Sequence, residues 1–333
     1  MEMNAISGIL LIVLAGSCSG TFSLPFNHNK KWNWENNWFV WSLVALLIAP
    51  WLVVGLTVPG LLSLYSTEWG STCLVALFGG IWGLGAIMFG KGIHYLGLSL
   101  SLPIMQGLIN SIGTIVPILL RDPWELLQPS GIKIMVGVGI MIIGIVLFSI
   151  AGKKKEESTQ AGNTHPLSHF RKGLFICLLA GVLGPMINFA FVYGIPLQEK
   201  AVALGASPFY ATNSVWSVAL SAGFIMNGLE CVHLFRREKS WERYKYNLNS
   251  GLLFAGFAGV IWYLSIMFYG MGSNMIGAMG ASVGWAVMQS VAIIVGNVAG
   301  ILHGEWKNAT KEAIYLMVLG LVALIIGVII IAY

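Results

Sequence analysis

The chain has 333 residues, of which 57% are hydrophobic and only 9% are charged. A soluble domain usually carries about 25% charged residues, so the composition excludes a soluble enzyme, a nucleic-acid-binding protein and a disordered chain. It predicts an all-α polytopic membrane protein, because the apolar stretches are continuous and lack the alternating polarity of a membrane β-barrel.

Stretches without charged residues predict the membrane spans, since a spanning helix needs about 20 apolar residues and a central charge is unfavourable. Nine such stretches follow one another: 3–29, 36–67, 69–90, 92–120, 134–152, 173–198, 201–229, 246–304 and 313–333. The first is predicted to be a retained helix and not a signal peptide, because Glu2 is the only charge before Lys30. The eighth is long enough for two helices, with a turn predicted at Gly270–Asn274. We therefore predict ten transmembrane helices.

The basic residues predict how these helices are oriented. All 18 lysines and arginines except Arg121, Lys133 and Lys200 fall in loops that follow odd-numbered spans. By the positive-inside rule these loops are cytoplasmic, which leaves both termini outside a bacterial-type inner membrane. The positive net charge is therefore attributed to membrane topology, and no nucleic-acid partner is expected.

The polar segment 153–171 is predicted to be a cytoplasmic linker between two five-helix repeats, 1–152 and 172–333. Because five is odd, the second repeat must enter the membrane with the opposite orientation, as in the inverted repeats of secondary transporters. Two matches support this arrangement. Trp82 recurs as Trp262 at an offset of 180 residues, and the pair Met105–Gln106 recurs as Met288–Gln289 at an offset of 183.

Collinear blocks over nearly the whole chain resemble one family of transporters. They comprise Pro25–Phe26, Lys30–Glu35, Trp38, Trp82–Gly85, Gly90, Tyr95–Gly97, Ala203–Gly205, Pro208, Tyr210, Trp262–Tyr263, Trp285 and Glu305–Trp306. These blocks are similar to the L-rhamnose–proton symporter family of the drug/metabolite transporter superfamily. The resemblance implies a 5+5 inverted repeat of ten helices, no cofactor, and uptake of a deoxyhexose coupled to protons. The chain departs from the family pattern at Ser265, where that pattern has a glutamine, and at Ala281–Ser282, where it has an aspartate.

A sugar site needs a few amides and hydroxyls beside flat aromatic surface in a mostly apolar cavity. Helical spacing places Gln106, Asn110 and Thr114 on one face of the fourth span, and Ser282, Trp285 and Gln289 on one face of the ninth. These stripes line a central cavity if the repeat holds, or alternatively only hydrogen-bond neighbouring helices. The full set of substrate-binding candidates is Gln106, Asn110, Gln289, Trp82, Trp262, Tyr263, Trp285, Ser265, Asn188, Tyr210 and Asn213. Four further tryptophans at span ends are expected at the membrane interface: Trp32, Trp34, Trp38 and Trp306.

A carrier that moves protons usually buries an acidic or histidine side chain within the membrane, yet no Asp or Glu lies in the middle of a predicted span. The candidates for proton coupling or gating therefore lie near the cytoplasmic ends: Glu35, Lys91, His94, Glu230 and Glu305. Their alternative role is to form interfacial ion pairs.

The sequence thus predicts a secondary transporter that imports a small neutral sugar, L-rhamnose or a related hexose, by proton symport with alternating access. The alternative is a uniporter or exchanger for another small metabolite without proton coupling. An enzyme is not expected, because the histidines are scattered and form no catalytic or metal-binding cluster. The four cysteines form no CxxC pair, so neither a metal nor a disulfide is expected. The expected partners are the sugar, protons and the lipid bilayer, with no obligate protein partner.

Overall fold

The computed structural model describes residues 2–96, 98–159, 167–277, 279–304, 306–307 and 309–332. Helix makes up 88% of the structure, and no strand occurs within these ranges. Nine helical stretches of the described chain are long and apolar enough to cross a membrane: Ala5–His28, Trp34–Thr57, Trp69–Leu96, Pro129–Lys155, Phe170–Ala203, Asn213–Glu238, Leu248–Ile276, Gly280–Leu302 and Lys311–Ile331. The predicted all-α membrane architecture is confirmed.

The first half of the chain contains seven α-helices, of which α2 and α3 are joined by a π-helical segment, Leu43–Ile48. They are α1 (Glu2–Thr21), α2 (Trp34–Ser42), α3 (Ala49–Thr57), α4 (Leu61–Thr67), α5 (Trp69–Leu96), α6 (Leu98–Arg121) and α7 (Pro129–Thr159). Besides the nine spans, α6 contains a shorter apolar stretch in the described chain, Ile104–Leu120, which includes Gln106 and Asn110.

The second half also contains seven α-helices, and three of them, α8 to α10, together form the span 170–203. They are α8 (Leu167–Leu183), α9 (Met186–Tyr193), α10 (Ile195–Ala203), α11 (Asn213–Glu238), α12 (Leu248–Ile276), α13 (Gly280–Leu302) and α14 (Lys311–Ala332). The break before α9 occurs at Pro185, and the break before α10 occurs at Gly194, two residues before Pro196; neither proline can donate a backbone hydrogen bond. Within the predicted linker 153–171, residues 153–159 extend α7 and residues 167–171 begin α8.

The turn predicted at Gly270–Asn274 is wrong, because α12 runs through these residues to Ile276. The chain turns at Gly277, whose φ of +88° suits glycine. Gly270 and Gly272 serve close packing instead: a Cβ on Gly272 would lie 2.6 Å from the carbonyl oxygen of Gly8 in α1. Gly270 and Gly272 therefore indicate close helix contacts and not a turn.

Three helix pairs are held together through small residues. Gly8 of α1 packs on Gly272 of α12, and Gly144 of α7 packs on Gly320 of α14. In α5, a Cβ on Gly79 would lie only 2.1 Å from the carbonyl oxygen of Ala219 in α11. Such close backbone approach is the usual basis of helix association in a bilayer.

The two ends of the helix bundle differ in charge. Lys91 and Arg237 lie at the end where α5 and α11 finish, and Lys155 lies at the same end on α7, with its Nζ 4.9 Å from the centre of the Trp306 ring. We call this the basic end and the other the opposite end.

Candidate functional site

A central cavity of about 220 Å³ lies between the two halves of the chain. Six of the eleven candidate substrate residues line it, from α5, α6, α12 and α13: Trp82, Gln106, Trp262, Ser265, Trp285 and Gln289. The tertiary structure therefore brings together side chains that are up to 207 residues apart in sequence, since Trp82 and Gln289 both line the cavity.

The two Met-Gln pairs are placed alike in α6 and α13. Met105 and Met288 are buried in the protein core, whereas Gln106 and Gln289 are half-buried and line the cavity. Neither glutamine amide has a hydrogen-bond partner among the residues that the structure describes. Each amide can therefore both donate to and accept from a hydroxyl group in the cavity.

Four indole rings form a continuous aromatic wall of the cavity. The ring centres of Trp82 and Trp262 are 5.5 Å apart in a stacked arrangement, and those of Trp41 and Trp262 are 5.2 Å apart, edge to face. Trp38 stacks on Trp41 at 4.2 Å. Flat aromatic surface of this kind suits the apolar face of a sugar ring.

Trp38 and Trp41 were not among the candidate substrate residues. Trp38 was expected at the membrane interface, but it lines the cavity, and Trp32 and Trp306 from the same expectation are buried. Of these four tryptophans only Trp34 is exposed. The helical spacing Trp34, Trp38, Trp41 is a signal that could have identified one aromatic face.

The indole N–H groups divide into paired and free donors. Trp285 Nε1 donates to the Ile109 carbonyl at 3.1 Å, and Trp38 Nε1 donates to Asn227 Oδ1 at 3.0 Å. Trp82 and Trp262 have no hydrogen-bond partner within the described part of the chain. Their N–H groups remain available to a hydroxyl oxygen of a ligand.

The other five candidates do not line the central cavity. Asn110 is buried, and its Nδ2 is 3.7 Å from the sulfur of Met141 in α7. Tyr263 donates to Asn213 Oδ1 at 3.2 Å, and Asn213 in turn donates to Thr57, so this pair fastens α11 and α12 to α3. Tyr210 is exposed in the loop after α10.

Asn188 belongs to a hydrogen-bond network between the cavity and the opposite end. Its Nδ2 donates to the Gly113 carbonyl at 2.7 Å and to the Ala281 carbonyl at 3.2 Å. The Tyr269 hydroxyl bonds to Asn188 Oδ1 and lies 3.0 Å from the Ala281 carbonyl. The network joins α6, α9, α12 and α13, and both Asn188 and Tyr269 are fully buried. It therefore closes the bundle on this side.

Beyond the network lies a second cavity of about 800 Å³, the opposite-end cavity, whose lining includes Glu125, Gln198, Glu199 and Asn274. None of its described lining residues also lines the central cavity. The central cavity is thus separated from the opposite end.

Towards the basic end, two larger spaces adjoin the central cavity. The first, of about 640 Å³, shares Ser19, Phe22, Phe89, Gln106 and Gln289 with it. We call this space the amide vestibule. Its mouth lies near Lys155 and Trp306.

The second space, of about 570 Å³, shares Trp38 and Ala86 with the central cavity. We call it the charged vestibule, because Lys91, His94, Glu230 and Arg237 line it. Lys91 Nζ and Glu230 Oε1 form an ion pair at 3.1 Å. The structure therefore brings together three of the five candidates for coupling or gating.

Glu35 lies outside both vestibules, in a fixed cluster at the start of α2. It accepts a hydrogen bond from Asn33 Nδ2 at 3.2 Å. The neighbouring Asn36 donates to the Ser240 carbonyl at 3.1 Å and accepts from Tyr244 at its own carbonyl. Burial raises the pKa of Tyr244, so its hydroxyl stays protonated as a donor. Glu305, the fifth candidate, lies outside the described residues.

Comparisons with known proteins agree on one family. The family described as L-rhamnose-proton symport protein (RhaT) matches residues 1–333. The L-rhamnose-proton symporter of Cronobacter sakazakii is 30% identical over 334 residues, which are 97% of this chain and 96% of that protein. The L-rhamnose-proton symporter of Yersinia pestis is 30% identical over 336 residues, 98% of this chain and 97% of that protein.

A solved crystal structure of a protein shares the fold, with a TM-score of 0.56 over 97% of this chain and 96% of that chain. Its sequence identity is 14%, so this likeness concerns the fold alone. Since a whole-chain family match and full-length relatives coincide, the chain belongs to the L-rhamnose-proton symport protein (RhaT) family, a family of membrane transporters and not of enzymes.

Proposed function

We propose that this protein imports L-rhamnose, or a closely related deoxyhexose, together with protons by alternating access. The observation that carries the proposal is the pair of glutamine amides, Gln106 and Gln289, that have no hydrogen-bond partner among the described residues and line one cavity with five tryptophans. Amides suit the hydroxyls of a sugar, and indole faces suit its apolar surface and methyl group.

The substrate site comprises the six candidates that line the central cavity, together with Trp38 and Trp41. Gln106 and Gln289 bind hydroxyl groups, and Trp82 and Trp262 offer ring faces and free N–H donors. The N–H group of Trp285 is already bonded to the Ile109 carbonyl, so its ring serves as part of the cavity wall. Ser265, whose hydroxyl is 3.9 Å from the Met288 sulfur, contributes a small side chain to the wall.

We further infer ten membrane helices in a 5+5 inverted repeat, 1–152 and 172–333, as in the drug/metabolite transporter superfamily. The nine long apolar stretches and α6 together supply ten. The equivalent placement of the two Met-Gln pairs and of Trp82 and Trp262 supports the repeat, because each pair comes from corresponding helices of the two halves.

In this arrangement the basic end is cytoplasmic, and both termini are outside the inner membrane. The conformation described is then open to the cytoplasm. The two vestibules at the basic end adjoin the central cavity, whereas the Asn188–Tyr269 network separates it from the opposite end. Opening this network while closing the vestibules would expose the same site to the outside.

A uniporter or exchanger of another small metabolite is the second candidate. It is favoured by the absence of any titratable side chain from the described lining of the central cavity. Proton coupling therefore requires a group outside that cavity.

The decisive experiment is uptake into proteoliposomes across a panel of sugars, with and without an inward pH gradient. We expect saturable L-rhamnose uptake that the gradient accelerates. Saturable uptake with no response to the gradient would favour the uniporter, and no response to any sugar would contradict sugar transport altogether.

A further inference from the structure

Titratable side chains are unevenly distributed around the substrate site. The described lining of the central cavity has none, and that of the amide vestibule has only Lys155. The charged vestibule, in contrast, is lined by Lys91, His94, Glu230 and Arg237. Of the described residues that line the three connected spaces, Glu230 alone carries a carboxylate.

A short chain of contacts connects Glu230 to the substrate site. Glu230 and Asn227 lie three residues apart on α11, hence on the same face of the helix, and both line the charged vestibule. Asn227 Oδ1 accepts the hydrogen bond of Trp38 Nε1 at 3.0 Å. Trp38 lines both the charged vestibule and the central cavity, and it stacks on Trp41 of the aromatic wall.

From this geometry we propose that Glu230 carries the coupled proton and that sugar and proton leave the protein by different vestibules. The sugar passes through the amide vestibule, which Gln106 and Gln289 line together with the central cavity. The proton passes through the charged vestibule. This inference rests on the proposed function, since it assigns the coupling step of that same transport cycle.

The proton transfer is a simple exchange at one oxygen. A proton from the outside bonds to a carboxylate oxygen of Glu230, which neutralises the charge and removes the ion-pair partner of Lys91. On release, the O–H bond breaks, the proton passes to water in the charged vestibule, and the carboxylate pairs with Lys91 again. The observed ion pair at 3.1 Å corresponds to the conformation after release.

Charged groups from two helices line the vestibule beside this carboxylate. Lys91 and His94 lie on α5, and Arg237 follows on α11. Glu35, on α2, lies outside the vestibule lining and accepts a hydrogen bond from Asn33. Of these groups, Lys91 pairs directly with Glu230, at 3.1 Å.

The test compares Glu230→Gln with Glu238→Gln, a matched control in which an exposed acid at the end of the same helix is neutralised. Two activities are measured in right-side-out vesicles: alkalinisation of the medium on addition of L-rhamnose, and counterflow of labelled L-rhamnose without a pH gradient. We expect Glu230→Gln to abolish alkalinisation and to keep counterflow within about two-fold of the wild type. Glu238→Gln should retain both, and Glu230→Asp should restore alkalinisation.

Alkalinisation by Glu230→Gln at the wild-type level would overturn the assignment. Loss of counterflow in both Glu230→Gln and Glu230→Asp would also overturn it. Glu230 would then be required for the folded structure of the carrier, and not specifically for proton coupling. If the wild-type protein itself shows no saturable L-rhamnose counterflow, the proposed function fails, and this failure is distinguishable because it is independent of any variant.

Discussion

At the scale of single residues, position along a helix and direction around it decide whether a polar side chain lines the cavity or contacts a neighbouring helix. Gln106 and Asn110 are four residues apart on α6, yet Gln106 lines the cavity and Asn110 contacts Met141 of α7. Tyr263 follows Trp262 directly, and consecutive residues on a helix point in directions about 100° apart. Trp262 therefore lines the cavity while Tyr263 bonds to Asn213.

Replacing Gln106 or Gln289 by alanine should weaken L-rhamnose binding. A lost hydrogen bond to a buried hydroxyl group is worth about 1 to 3 kcal/mol, which corresponds to roughly 5- to 150-fold in affinity. Titration calorimetry of the purified variants measures this change. Asn110→Leu is the control, because Asn110 lies outside the cavity and its replacement should leave the affinity unchanged. Unchanged affinity in both glutamine variants would contradict the proposed site.

At the scale of helices, close backbone contacts and one hydrogen-bond network hold the described conformation. The network joins four helices through two side chains, of Asn188 and Tyr269, and two backbone carbonyls, of Gly113 and Ala281. Around it, Thr212 Oγ1, Trp216 Nε1 and Ser273 Oγ are buried without hydrogen-bond partners in the described structure. A buried polar group without a hydrogen-bond partner is unfavourable. When the network opens and water reaches these three groups, their new hydrogen bonds would offset part of the free energy that is lost with the hydrogen bonds of the network.

Tyr269→Phe should increase access to the central cavity from the opposite end, because it removes the hydroxyl that bonds to Asn188 and Ala281. The measurement is the rate at which a membrane-impermeant thiol reagent labels Ile109→Cys from outside whole cells, in a background without the native cysteines. Ile109 lines the central cavity. We expect a several-fold faster reaction.

The matched control is Tyr263→Phe, which removes the hydroxyl of another buried tyrosine on α12 that bonds only to Asn213 in the described structure. It should leave the labelling rate as it is. Equal rates for Tyr269→Phe and the unmodified background would show that the network does not control access.

Two adjacent glycines of α5 offer a test of helix packing. A Cβ on Gly79 would meet the Ala219 carbonyl at 2.1 Å, whereas a Cβ on Gly80 would lie 4.0 Å from the Ala222 side chain. Gly79→Ala should therefore separate α5 from α11 and lower the thermal stability of the detergent-solubilised protein. Gly80→Ala should have little effect. Equal unfolding temperatures for the two variants would contradict the close α5–α11 contact.

At the scale of the whole molecule, the proposed orientation rests on the basic residues that line the two vestibules. Lys91, Lys155 and Arg237 line the two vestibules at one end, and the positive-inside rule places that end in the cytoplasm. If this proposed orientation is correct, the described conformation is open to the cytoplasm, because both vestibules lie at that end.

Fusions of alkaline phosphatase test this orientation, because the enzyme is active only after export from the cytoplasm. A fusion after Tyr333 should be active, since we place the C-terminus outside. A fusion within the linker 153–171 should be inactive, and it serves as the internal control. The opposite pattern would reverse the proposed orientation of the carrier.

The sequence by itself determined the helical membrane architecture, the approximate limits of the spans and six side chains of the cavity, because bilayer thickness and charge dehydration act on every segment locally. The tertiary structure decided which helix faces meet. It moved the turn to Gly277, placed Trp38 and Trp41 in the cavity wall, and assigned Asn188 to the closing network. These outcomes depend on the rotation and close approach of helices distant in sequence, which no local pattern specifies.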